Sequence, residues 1–218
     1  MKNYIIDCKF TFYVKFNSLE LFIAEIAKCF DIINIKETSL IQIPKHIRIN
    51  DSKLKTIPLY EIEIKDKEYL ILLAEEALIV SIKNHKYTSW ENSFKPFLNE
   101  LSKIFNFTSI SKFEKISLQY IDFFEFNIFE KGKINCNNIQ NSENIFLKSS
   151  YIDNDIVISK VLTNEGKFKN KTGSIVDINT TSNFDKENFM ILIDELHNKN
   201  IAEFKKVIPN DIIQELGL

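Results

Sequence analysis

LYEIEIKDKEYLILLAEEALIVSIK, residues 59–83, is the stretch that decides the fold class. Within it, 59–64, 68–73 and 77–83 are short runs rich in Ile, Leu, Val and Tyr whose apolar residues recur with period two, the pattern of half-buried strands. Lys65, Asp66 and Lys67 supply a hairpin turn between the first two runs, so the segment reads as an antiparallel meander. Upstream, Tyr4 to Phe16 alternates Phe10, Phe12 and Val14 against Thr11 and Lys15 and predicts another strand. Between them a helix is expected, with Asn17 and Glu20 as a capping box and Leu19, Phe22, Ile23, Ile26, Ala27 and Phe30 on its apolar stripe. Pro44 and Pro58 bracket a polar connection around Asn50 to Lys55.

Downstream, Trp90, Phe94, Phe97, Leu98, Leu101, Ile104 and Phe105 form one helical stripe between Ser89 and Phe107. Pro96 would cost about 3 kcal/mol inside a regular helix, so the helix begins near Ser93 or kinks there. The remaining chain follows the same order of elements: a strand from Phe113 to Phe126, a loop at Gly132, strands near 145–151, 155–162 and 173–180, and a helix from Phe184 announced by Ser182 and Asp185. Its apolar side carries Phe189, Leu192, Ile193, Leu196 and Phe204. The expected architecture is therefore α+β, in two similar halves at 1–107 and 108–218. Each half is an antiparallel meander with a long amphipathic C-terminal helix, and the two share one core.

With 218 residues and 44% hydrophobic composition, the chain is expected to bury roughly 70 to 75% of its unfolded surface. No run of about 18 uncharged apolar residues occurs, and Asp7 and Lys9 fall where a signal peptide would be apolar; no membrane partner is expected. Cys8, Cys29 and Cys136 lie far apart without a CxxC pair, which argues against a disulfide framework or zinc site and suits a reducing cytoplasm. The net charge is −2 and Arg48 is the only arginine, so nucleic acid is a disfavoured partner: no basic cluster or bidentate arginine set is present to hold phosphates.

Tyr87-Thr88-Ser89-Trp90-Glu91 opens one helix, Leu118-Gln119-Tyr120-Ile121-Asp122 lies on the next strand, and Leu196-His197 with Phe204 closes the last helix. Together these resemble a sporadically distributed, functionally uncharacterised bacterial family with a Tyr-x-x-Trp-Glu helix start, an Arg-Tyr-Ile-Asn strand and a terminal Leu-His helix. The resemblance spans nearly the whole chain. Gln119 stands where that family has arginine and Asp122 where it has asparagine, so a site built on that pair would be altered here.

The chain contains no GxSxG elbow, HExxH or phosphate-cradling glycine loop. His46, His85 and His197 have no metal-ligand spacing. Asp153-Asn154-Asp155 sits between apolar runs and reads as a hairpin turn, since the later glycine and glutamate of a calcium loop are missing. Gly132 and Gly166 read as turn glycines. Neither a metal nor a cofactor is expected.

Two functional readings remain. The favoured one is a non-catalytic factor of the immunity, antitoxin or defence-accessory kind, bound to another protein, a second copy of the chain included. Its candidate contact residues are Tyr120, Trp90 and Phe124, the last because Phe123 and Phe124 must point to opposite faces. The alternative is an enzyme whose Asp122, Asp177 and His197 converge in a cleft between the halves, which requires their side chains to come within hydrogen-bonding reach.

Overall fold

Residues 4–65, 69–82, 89–131, 133, 134 and 144–216 are described in the computed structural model. They form an α+β protein with, among the described residues, nine strands and six α-helices. The described residues fall into two compact units. The terminal unit comes from Met1–Cys8, Ser117–Ser182 and Ile191–Leu218, and the middle unit from Lys9–Ile116 and Asn183–Met190. Strands β1 (Ile5–Phe16) and β6 (Ile110–Phe124) each give one segment to either unit.

In the middle unit the predicted meander forms β3 (Tyr60–Ile64), β4 (Tyr69–Leu73) and β5 (Ala77–Ile82), antiparallel throughout, with β5 pairing β1. Of the predicted turn, Asp66 and Lys67 lie outside the described residues. A strand absent from the sequence reading, β2 (Ile32–Glu37), pairs with β3 across a bulge at Ile32/Asn34 and forms the edge of the order β2-β3-β4-β5-β1.

Helix α1 (Leu19–Cys29) corrects the predicted cap. Ser18, not Asn17, accepts the Leu21 amide at 3.1 Å and donates to Glu20 at 2.8 Å, while the Asn17 side chain is turned to the Thr108 carbonyl. The predicted Ser89–Phe107 helix is composite: Ser89 caps a π-turn at Trp90–Phe94, α3 runs Lys95–Leu101, and a 3-10 turn completes Ser102–Asn106. Pro96 thus sits in the first turn of α3, directly after the π-turn, a position that tolerates its ring better than the interior of a regular helix.

The phenylalanines explain much of this packing. Phe12, Phe105, Phe113, Phe184 and Phe189 make a network of edge and stacked contacts, Phe105–Phe189 at 4.8 Å among them, and Tyr69 stacks on Phe97 at 4.3 Å beside Phe94. Phe184 is consumed by this network, and Ser182 still belongs to β9 (Lys171–Asn183). The last long helix, α5 (Phe189–Val207), accordingly starts later than predicted, after Asp185 has accepted the amides of Glu187 and Asn188.

The connection at 38–58 is not merely polar. It includes the single turn α2 (Lys45–Arg48), which buries Arg48 against Glu75. Nε donates to Glu75 at 2.9 Å, Nη2 lies 2.8 Å from the same oxygen, and Nη1 donates to the carbonyls of Ile41 and Ile43.

In the terminal unit, β6 pairs β9, β9 pairs β8 (Ile156–Phe168), and β8 pairs β7 (Phe146–Asp153), which ends the order. The chain turns between β7 and β8 at Asn154 and Asp155, both at positive φ (49° and 65°), so the predicted hairpin turn forms at the predicted residues. Gly166, expected in a turn, instead lies within β8 opposite Gly173. A Cβ on Gly173 would stand 2.0 Å from the Phe124 carbonyl oxygen, so the close approach of β6 excludes every larger residue there. Gly132 lies outside the described residues. Below α5, with the helical turn α4 (Ile128–Lys131) and the C-terminal α6 (Asn210–Leu216), the core gathers Phe124, Ile128, Phe129, Val176, Ile178 and Phe204.

Because Arg48 is a charge removed from water, its partner matters more than the net value of the pair. Glu75→Ala is expected to lower stability by about 3–5 kcal/mol in urea unfolding, and Arg48→Met combined with Glu75→Leu by much less. Equal losses in both variants would contradict this account of the pair.

Candidate functional site

Alternation along β6 sorts the candidate residues. Leu118, Tyr120, Asp122 and Phe124 turn to the face covered by α5, and Gln119 turns to the other. On β9, Val176, Ile178 and Thr180 are buried on the α5 face, which leaves Asp177 on the opposite one.

The α5 face is closed by hydrogen bonds. Asn200 Nδ2 donates to the carbonyls of Leu118 (3.1 Å) and Ile178 (3.0 Å), and Thr180 Oγ1 donates to those of Leu196 (3.1 Å) and Leu118 (3.3 Å). The Tyr120 hydroxyl lies 3.0 Å from His197 Nδ1. Asp122, only 4% exposed, shares this face with Tyr120. Burial, with a smaller contribution from the Asp177 carboxylate, pushes its carboxyl up to about 8, and no hydrogen bond to the charged form offsets that. At neutral pH it is a protonated acid inside the fold. Further along α5, burial acts to raise Glu203, but hydrogen bonds from Lys160, Lys206 and Tyr151 outweigh it and hold the carboxylate at about 2.

Asp177 belongs elsewhere. Both its oxygens accept from Gln119 Nε2, at 2.9 and 3.1 Å, on the face away from α5. The structure therefore brings Tyr120 to His197 and sets Asp122 beside Tyr120, but it does not bring Asp122, Asp177 and His197 together around one space. A proton-transfer trio needs that proximity.

Of the residues expected to make contacts, Trp90 (4% exposed) and Phe124 (0%) are core: Trp90 packs edge-on to Phe94, and Phe124 lies between Tyr4, Phe126 and Phe204. Tyr120 is buried as well, and so is Phe123, which packs on Phe168, so neither neighbouring phenylalanine is at the surface. In the hairpin turn, Asp153 takes an ion pair from Lys199. His46 lines a shallow surface depression with Ile47, Asn50, Asp51 and Ser52, whereas His85 and Cys136 lie outside the described residues.

The surface feature that sequence reasoning missed is on β7. Phe146 is 66% and Ile152 71% exposed, Val157 on β8 opposes Ile152, and no further strand lies beyond β7 among the described residues. As residues of an apolar run, Phe146 and Ile152 read as core; only the strand order reveals them as edge. No helix among the described residues is long and apolar enough to cross a membrane. Compared with protein-family models, curated proteins and solved structures, the chain matches none.

The protonated state of Asp122 fixes a pH dependence. Its carboxyl is ionised above pH ~4 in the unfolded chain but only above about 8 in the fold, so folding takes up a proton between those values and stability falls as pH rises through them. Asp122→Asn keeps a neutral side chain of the same shape. It is expected to flatten that slope and to exceed the wild type in stability above about pH 8, as checked by urea unfolding across the range. An unchanged slope would contradict the assignment.

Proposed function

We propose that the protein works by binding another protein, through the open edge of β7 and the apolar residues on it, and not by catalysis. The observation that carries this reading is one coincidence of place: a strand edge with no partner among the described residues and the exposed side chains of Phe146 and Ile152 occur on the same strand.

Soluble proteins ordinarily blunt such edges, because a row of free amides and carbonyls invites another chain to pair. β2, the other edge, also exposes Ile33 and Ile35, but it is blunted in that way, by its bulge and by Lys36 and Glu37, and Lys36 pairs with Glu61. β7 has neither a bulge against β8 nor a proline. A partner strand added there would gain main-chain hydrogen bonds, and alternate side chains would supply selectivity.

The polar groups that an enzyme would use are committed inward. Tyr120 and His197 engage each other beneath α5, and Asp122 is sealed from solvent on the same face. A factor of the immunity, antitoxin or accessory kind fits a surface whose outward chemistry is contact.

The test is capture from the native host with wild type and with a Phe146→Glu/Ile152→Glu double variant. Both sites are exposed, so the variant should retain its circular dichroism spectrum and unfolding midpoint. It is expected to lose at least about tenfold, ~1.4 kcal/mol, of the binding of whatever the wild type retains specifically. Identical captured sets from the two proteins would defeat the reading.

A further inference from the structure

We infer that the partner of the β7 edge is a second copy of this chain, paired antiparallel about a two-fold axis through Ser149; this rests on the interaction reading above.

Two independent parities meet on this strand. The first concerns hydrogen bonds. Asp153 and Ile156 close a two-residue turn, so they form a hydrogen-bonded pair, and such pairs alternate along a hairpin. Asp153, Tyr151, Ser149 and Leu147 therefore direct their amides and carbonyls to β8, whereas Ile152, Ser150, Lys148 and Phe146 direct theirs to the open edge. No hydrogen bond among the described residues takes up those outward groups.

The second parity concerns faces. A two-fold axis normal to the sheet leaves each face on its own side, so a residue can oppose only one of like parity in the second copy. The residues with free backbone groups are all even-numbered, and even pairs with even. Each outward amide thus finds an outward carbonyl.

Three axis positions test the side chains. An axis at Lys148 sets that lysine against its own copy, a like-charge pair, and places Ile152 opposite position 144, beyond the start of the strand. An axis at Ser150 sets Lys148 against Ile152 of the partner subunit. The axis at Ser149 opposes Phe146 to Ile152 of the partner subunit and, by symmetry, Ile152 to Phe146 of the partner subunit. On the same face Lys148 meets the partner subunit's Ser150, and on the other face Leu147 lies against the partner subunit's Tyr151. The two most exposed apolar side chains of the strand then cover each other twice. A heterologous peptide would have to reproduce this pattern, which the strand already contains in itself.

Ser149 lies on the axis as a non-hydrogen-bonded pair, with its Cα about 4.5 Å from its symmetry mate, inside the range a disulfide spans. Ser149→Cys is expected to cross-link into a covalent dimer under mild oxidation. Ser150→Cys, which would face Lys148 of the partner subunit, should cross-link far less, and Phe146→Glu/Ile152→Glu added to Ser149→Cys should abolish the product. The wild type should sediment as a monomer–dimer equilibrium that the double glutamate variant lacks. A wild type that remains monomeric at every concentration, or equal cross-linking at 149 and 150, overturns the homotypic pairing. If the wild type is monomeric but the glutamate variant still loses a captured protein, the interaction reading stands with a different partner; if capture is also unchanged, both fall.

Discussion

Side-chain alternation along β6 is the constraint on which the terminal unit depends. Because successive residues of a strand point to opposite faces, Leu118, Tyr120, Asp122 and Phe124 must all meet α5 once any one of them does. The helix answers with His197 for Tyr120, Asn200 for the Leu118 carbonyl and Phe204 for Phe124. Asp122 is carried into this layer by the same geometry, without a cation to meet it, and keeps its proton as a result. Asp177 is carried just as firmly to the other face, where Gln119 receives it. One period of two thus separates carboxylates that a linear reading placed in a single constellation.

A second constraint, that backbone and charged groups withdrawn from water need partners, is met with some thoroughness elsewhere. The buried guanidinium of Arg48 has Glu75 and two carbonyls. Even the partly exposed Glu25 carboxylate, which is not withdrawn from water, accepts the side-chain hydroxyls and backbone amides of Ser109 and Thr108, and these bonds, led by the Ser109 hydroxyl, hold it at about 2. Glu203 has two lysines and a tyrosine. The outward row of β7 differs from these in kind: among the described residues it faces solvent, as edge backbone does, and so can pair with another strand.

What could be read from the sequence was what depends on near neighbours. The runs at 59–64, 68–73 and 77–83 announce strands because their own period says so, and Asn154 and Asp155 announce a turn because both tolerate positive φ. Ser18 was missed as the α1 cap because Asn17 is an equally good capping residue one position earlier, and only the demand of the Thr108 carbonyl on Asn17 decides between them. The helix at 189 was expected at 184 because Ser182 and Asp185 read as its start signal; an aromatic network with Phe105 and Phe113, distant in sequence, claims Phe184 first. β2 was invisible for a related reason. Its residues are exposed on both faces, so no alternation marks it, and it exists as a strand only because β3 offers an edge.

The candidate site follows the same division. That Tyr120 and Asp122 share a face is local and was legible; that His197 stands opposite Tyr120 requires the packing of α5 and was not. The burial of Trp90 and Phe124 follows their hydrophobicity and overrides their expected role as contact residues, whereas the exposure of Phe146 and Ile152 reverses what hydrophobicity alone suggests. For the three that lie on strands, Phe124 on β6 and Phe146 and Ile152 on β7, strand order makes the difference. An apolar residue on an interior strand has neighbours on both sides, and the same residue on the last strand has a neighbour on one side only. The contrast lies less in residue types than in where the sheet stops: interior strands have neighbours on both sides, whereas among the described residues β7 has β8 alone, and its outer backbone groups and two large side chains are left exposed.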